Sequence, residues 1–95
     1  AYKLLGRIYN DRAEFARGFE ALRKAKMFDP GDMKVRYQIA RALYHLGEPE
    51  QAEIQCQLVL SRKPNDPEAR DLMALISSGK SEAFHQAFPR GDHGR

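Results

Sequence analysis

Lys34, Tyr37, Arg41 and Tyr44 recur at intervals of three and four, so a helix would set two cations and two phenol rings in one line along its surface. Such a line suits carboxylates, because Lys and Arg supply charge-assisted hydrogen bonds and tyrosine supplies a stacking face with a polar tip. Gln38 lies inside the same segment and His45 follows it, adding neutral hydrogen-bonding groups. A simpler role also fits these residues: cations that keep a helix surface wet, and tyrosines whose rings cover the core while their hydroxyls stay in water. Sequence alone leaves both standing.

Groups for covalent or acid–base chemistry are scattered. Cys56 falls on an apolar stripe with Ala52 and Val59, the placement of a small buried hydrophobe rather than a nucleophile. His85, His93 and Asp92 lie in or beside the C-terminal tail, which cannot hold metal ligands to a fixed geometry by itself. Asp11, Glu14, Glu48, Glu50 and Glu53 sit in turns or on polar faces, where solvation is expected. Gly91-Asp92-His93-Gly94 lacks the strand and helix that give a phosphate loop its meaning. The expectation is a non-enzyme without cofactor or metal.

The elements that must position these residues are helices. Leu4, Leu5, Ile8 and Tyr9 mark a first helix from Tyr2 to Tyr9, and Asn10 and Asp11 offer turn and cap chemistry for a second, from about Arg12 to Phe28. Asp32 caps a third, carrying Val35, Ile39, Ala42, Leu43 and Leu46 and ended by Gly47. Pro49 opens a fourth, with Ala52, Cys56, Val59 and Leu60 on one side; Ile54 and Leu58 form a second stripe that predicts neighbours on two sides. Asp66 and Pro67 open a fifth, with Ala69, Leu72, Met73 and Ile76 inward and Ser77-Ser78-Gly79 closing it. Ala83, Phe84, Ala87 and Phe88 suggest a short helix over 81–88 that folds back as a lid, followed by a mobile end.

Composition narrows the function classes. The 95 residues, 42% apolar and 31% charged, describe one soluble domain, and the single Cys56 excludes an internal disulfide. A net charge of +3 and a pI near 9.2 are mildly basic, but both signs are mixed along the chain, which disfavours nucleic acid as a partner. No apolar run approaches the ~20 residues that span a bilayer. Ala1 to Tyr9 carries Lys3 and Arg7 in an amphipathic pattern unlike a signal peptide, and the compartment stays open with the cytoplasm favoured.

The helices also repeat. Pro30-Gly31-Asp32-Met33 returns 34 residues later as Pro64-Asn65-Asp66-Pro67; Leu5 matches Ile39 and Met73, Gly6 matches Ala40 and Ala74, Gly18 matches Ala52, and Ala25 matches Val59. A fixed period of this length marks stacked units that cannot bury their apolar faces alone. Gly6, Ala40 and Ala74, against Gly18 and Ala52, strip side-chain bulk where paired helices would cross, letting their axes approach within ~8–10 Å.

In these positions the chain resembles the tetratricopeptide repeat family. The first repeat carries the pattern as Tyr2, Leu5-Gly6, Tyr9, Gly18, Leu22, Ala25 and Pro30, and the second as Arg36, Ile39-Ala40, Leu43, Ala52, Cys56, Val59 and Pro64. Arg36 departs from a site usually large and apolar, Ala13 stands where a turn glycine is common, and the third unit keeps only Met73-Ala74. The resemblance implies an all-α fold of antiparallel helix pairs stacked as a right-handed superhelix. The division is repeat one over 1–32, repeat two over 33–66, a capping helix over 67–79, and a tail over 80–95.

A fold of that kind would turn one face of the first, third and fifth helices inward as a groove. Lys3, Arg7 and Asn10 line it from the first helix, and Lys34, Tyr37, Gln38, Arg41, Tyr44 and His45 from the third. Glu68, Asp71 and Leu75 of the fifth make it basic at one end and acidic at the other. Some family members clamp a C-terminal carboxylate at sites that read here Lys3, Arg7, Gln38, Glu68 and Leu72; only Lys3 matches, and Glu68 would repel the ligand. The expected function is an adaptor or scaffold that binds a protein or peptide of acidic or mixed charge. Self-association through Leu4 and Ile8 at one end and Leu75, Phe84 and Phe88 at the other is an alternative. An RNA-associated helical repeat, drawing on the basic stripe, is a third.

Overall fold

The computed structural model describes residues 1–87, with side-chain surroundings through residue 79. Among the described residues five helices follow one another: α1 (Tyr2–Asp11), α2 (Phe15–Phe28), α3 (Met33–His45), α4 (Pro49–Arg62) and α5 (Pro67–Ala87). No strand occurs among the described residues, so the chain is all-α as its periodicity predicts. α1 pairs with α2 and α3 with α4, while α2 packs on α3 and α4 on α5, so the pairs stack. α1 also touches α3, and α3 touches α5, which gathers the odd-numbered helices on one side.

Each odd-to-even turn is built from the same hydrogen bonds. After α1, Ala13 N–H donates to Asn10 O and Glu14 N–H to Tyr9 O; after α3, Gly47 N–H donates to Tyr44 O and Glu48 N–H to Leu43 O. This paired closure satisfies the last helical carbonyls and needs one residue in the left-handed region. Gly47 takes it at φ 85° without strain, whereas Ala13 takes it at φ 62°, a conformation that costs an alanine roughly 1–2 kcal/mol. α2 therefore starts at Phe15, not near Arg12, and its N-cap is Glu14 with no side-chain bond. Asn10 and Asp11 do not cap it, because α1 itself runs to Asp11.

The even-to-odd turns use aspartate. Asp32 accepts from Lys34 N–H at 3.0 Å and Val35 N–H at 3.3 Å, and Asp66 accepts from Ala69 N–H at 2.9 Å, the caps that the sequence predicts. Lys3 Nζ lies 2.7 Å from Asp32 Oδ2, so the cap also ties α1 to the start of α3. Burial pushes the Asp32 carboxyl up, but the hydrogen bond and charge of Lys3 and the two N–H groups more than offset it, leaving it below its ordinary 3.8. A carboxyl lowered in the folded state adds stability above its unfolded pKa of ~3.9 and loses it as pH falls through the folded value. The melting temperature should therefore drop between about pH 5 and pH 2, and the drop should be smaller in Asp32→Asn, which keeps an N-cap oxygen but no charge.

Two apolar clusters hold the stack. Leu22 and Ala25 of α2 meet Val35 and Ile39 of α3, and Ala40 of α3 meets Ala52 and Cys56 of α4 and Leu72 and Ile76 of α5. Leu43 packs against both clusters. Each cluster takes residues from neighbouring units, which is why neither unit buries its apolar face unaided.

Three expectations are corrected. α5 does not stop at Ser77-Ser78-Gly79 but continues to Ala87, since nothing there takes the left-handed turn that ends α1 and α3. Residues 88–95 and the surroundings of Phe84, and with them the lid reading, lie outside the described side chains. Ala74 keeps the register of Gly6 and Ala40 yet is exposed, because no further helix crosses α5 among the described residues. On α4, Ile54 and Leu58 are also exposed: α3 and α5 both engage the Ala52–Cys56 side, which leaves the second stripe outward.

Candidate functional site

A cleft of about 470 Å³ lies among the odd-numbered helices, lined by Lys3, Leu4 and Arg7 of α1, Lys34, Tyr37 and Gln38 of α3, and Glu68 of α5, with Ala1 at its edge. Its volume is in the ~300–1,000 Å³ range of ligand sites. Five residues predicted for the binding face thus converge: Lys3, Arg7, Lys34, Tyr37 and Gln38. Glu68 joins them from the acidic end, whereas Asp71 and Leu75 do not line the cleft. Leu4 escaped the sequence reading because its spacing with Ile8 fits a packing stripe; it is 55% exposed.

The other predicted residues are spent on structure. Asn10 is 1% exposed, and its Nδ2 donates to both Gln38 O and Gln38 Oε1 at 3.0 Å. It is a buried tie between α1 and α3 rather than groove surface. Arg41 Nη1 reaches Asp11 Oδ1 at 2.8 Å and lies 3.4 Å from Gln38 Oε1, so its charge is already engaged across the same junction. Tyr44 packs against the α3–α4–α5 cluster, and His45 stacks on Phe15 of α2 with ring centroids 4.3 Å apart. Tyr44 and His45 therefore hold neighbouring helices together and stand away from the cleft.

Charge inside the cleft is uneven. Lys3 is paired with Asp32, while Arg7 and Lys34 have no carboxylate at ion-pair distance among the described residues. Tyr37 is half-buried against the core; burial first, then the nearby Glu68 charge, raises its hydroxyl pKa above the ordinary 10.0, so it remains a neutral donor at pH 7. Of the five carboxylate-clamp sites, the one that matches, Lys3, is committed to Asp32, and the one read by Leu72 is buried.

Cys56 is fully buried between α3, α4 and α5, and burial, helped by Glu53, pushes its thiol up to about 11. The thiolate that would attack an electrophile is not formed at neutral pH. Among the described residues no cluster of His, Cys, Asp and Glu is arranged to hold a metal ion. No helix there is long and apolar enough to cross a membrane.

The tetratricopeptide repeat family model matches residues 9–76. Cellulose synthase operon protein C of Salmonella typhimurium (strain LT2) is 35% identical over 66 residues, which is 70% of this chain and 6% of that protein. The chain thus spans a small fraction of the relative it resembles. No solved structure matches the chain significantly.

Proposed function

Since this chain belongs to the tetratricopeptide repeat family, whose members generally serve as non-catalytic protein–protein interaction modules, we propose that it is a scaffold segment holding a peptide or protein segment in the cleft between α1, α3 and α5. On this reading 1–32 and 33–66 are two repeats, residues 67–79 cap them, and the stack curls as a right-handed superhelix with the cleft on its inner side. The observation that carries it is the pair Arg7 and Lys34, which line the cleft without ion-pair partners among the described residues while Lys3 and Arg41 are engaged. Unpaired cations beside an exposed leucine and a tyrosine offer a ligand both charge-assisted hydrogen bonds and apolar contact. The likeness to the Salmonella protein covers 6% of that protein, so it carries no activity across.

Affinity capture with the immobilised chain and with Arg7→Glu/Lys34→Glu tests this. Both residues are exposed, so circular dichroism should be unchanged, and proteins retained by the wild type should fall roughly tenfold on the variant, the loss expected from reversing charges at an interface. Equal retention on both baits would sink the cleft.

A second reading, self-association, is favoured by the open face of α1. Leu4, Leu5 and Ile8 are 55%, 39% and 39% exposed, while the residues in register, Leu72, Ile39 and Ile76, are buried against a preceding helix. A sedimentation coefficient that rises with concentration, and stops rising in Leu5→Lys/Ile8→Lys, would support it.

A further inference from the structure

We infer that the segment held in this cleft is of mixed charge, with an acidic side chain on the Arg7 and Lys34 wall, a basic side chain against Glu68, and an apolar residue between them over Leu4 and Tyr37. The inference rests on the cleft reading above and specifies its ligand.

Three cations and one carboxylate line the cleft, but Lys3 is neutralised by Asp32 at 2.7 Å. What faces a ligand is Arg7 and Lys34 on α1 and α3, and Glu68 on α5. A wholly acidic segment would bring a carboxylate to Glu68, and a wholly basic one would bring an ammonium to Arg7 and Lys34; like charges at an interface reject the wrong partner more strongly than matched charges reward the right one. A nucleic-acid backbone meets the same obstacle, since its charge is all of one sign.

The middle of the cleft has a different character. Leu4 is more than half exposed, and Tyr37 packs against the core while lining the cleft. An adjoining recess of about 30 Å³ shares Lys34, Tyr37 and Glu68 and is too small for more than a side-chain tip. An aliphatic residue fits this floor, and the tyrosine hydroxyl can donate to a passing backbone carbonyl.

The test is a bead library of eight-residue peptides, acetylated and amidated so that no terminal charge competes, sorted for binding to the 95-residue chain. Enriched peptides should carry an acid and a base flanking an aliphatic residue. Glu68→Lys should replace the basic preference by an acidic one, with roughly tenfold enrichment for the swapped set. Glu68→Gln, which puts no strain on the first turn of α5, should erase the preference at that position while keeping the acid. If wild type selects uniformly acidic peptides and neither Glu68 variant changes the selection, mixed charge is wrong and the cleft reading stands. If wild type enriches nothing over blank beads, both fail.

Discussion

Gly6→Leu should separate α1 from α2 and lower the melting temperature by roughly 10–20 °C. A Cβ on Gly6 would fall on the side chain of Leu22, which is 0% exposed and anchors the α2–α3 cluster. Leu22 cannot withdraw without giving up Ala25, Val35 and Ile39. A leucine at Gly6 gains about 1 kcal/mol in helix propensity, but overpacking a filled core costs 1–3 kcal/mol and more for a whole side chain, so the clash wins. In a domain this small each kcal/mol is worth about 4–8 °C. A melt followed by circular dichroism reads the effect; a variant as stable as wild type would mean that the close approach at Gly6 is not what sets the pair.

The second large effect is a coupling. Asn10 Oδ1 is buried without a hydrogen-bond partner among the described residues and lies where a Cβ on Gly18 would be placed, with Gly6 O at 3.2 Å from the same point. Gly18→Ala should cost about 1–3 kcal/mol by that collision. Asn10→Ala should cost about 1–2 kcal/mol, since it removes two hydrogen bonds to Gln38 yet leaves its mid-helix carbonyl in the α3 ladder. The double variant should then be about 1 kcal/mol more stable than the sum of the two, because without the Asn10 amide the methyl added at Gly18 loses its main obstacle. The second repeat already lives with this solution: Ala52, in register with Gly18, is 0% exposed, and Tyr44 replaces Asn10. Urea unfolding of the four proteins measures the coupling, and strict additivity would show that the amide does not exclude the Cβ.

Much of the architecture was legible from residue types, because local rules and the 34-residue register point the same way. Asp32 and Asp66 cap as their positions predict, Gly6 and Gly18 mark a close crossing, and Gly47 ends α3. The cleft was half legible. A helical register places Lys3, Arg7, Asn10, Gln38 and Arg41 on related faces, but it does not say which of them meet the neighbouring repeat. That depends on the angle at which α1 approaches α3, which brings Asp11 to Arg41 and Asn10 to Gln38 across about 30 positions of sequence. Polar side chains that look free on one helix are thus spent on the next. Ser77-Ser78-Gly79 misled for a related reason: a glycine costs a helix only about 1 kcal/mol, and termination needs the left-handed closure seen at Ala13 and Gly47.

The way α1 is held has a consequence for salt. Neither apolar cluster takes a residue from α1, which reaches α3 through the Asn10–Gln38 hydrogen bonds and the Lys3–Asp32 and Arg41–Asp11 ion pairs. α5, which carries Glu68, puts Leu72 and Ile76 into a cluster with α3 and α4 instead. Dissolved ions screen charges near the surface and leave apolar packing in place. Raising the ionic strength would therefore loosen the junction between α1 and α3 before the one between α3 and α5, and a captured segment would be released through the scaffold that aims Arg7 as well as through its own screened contacts.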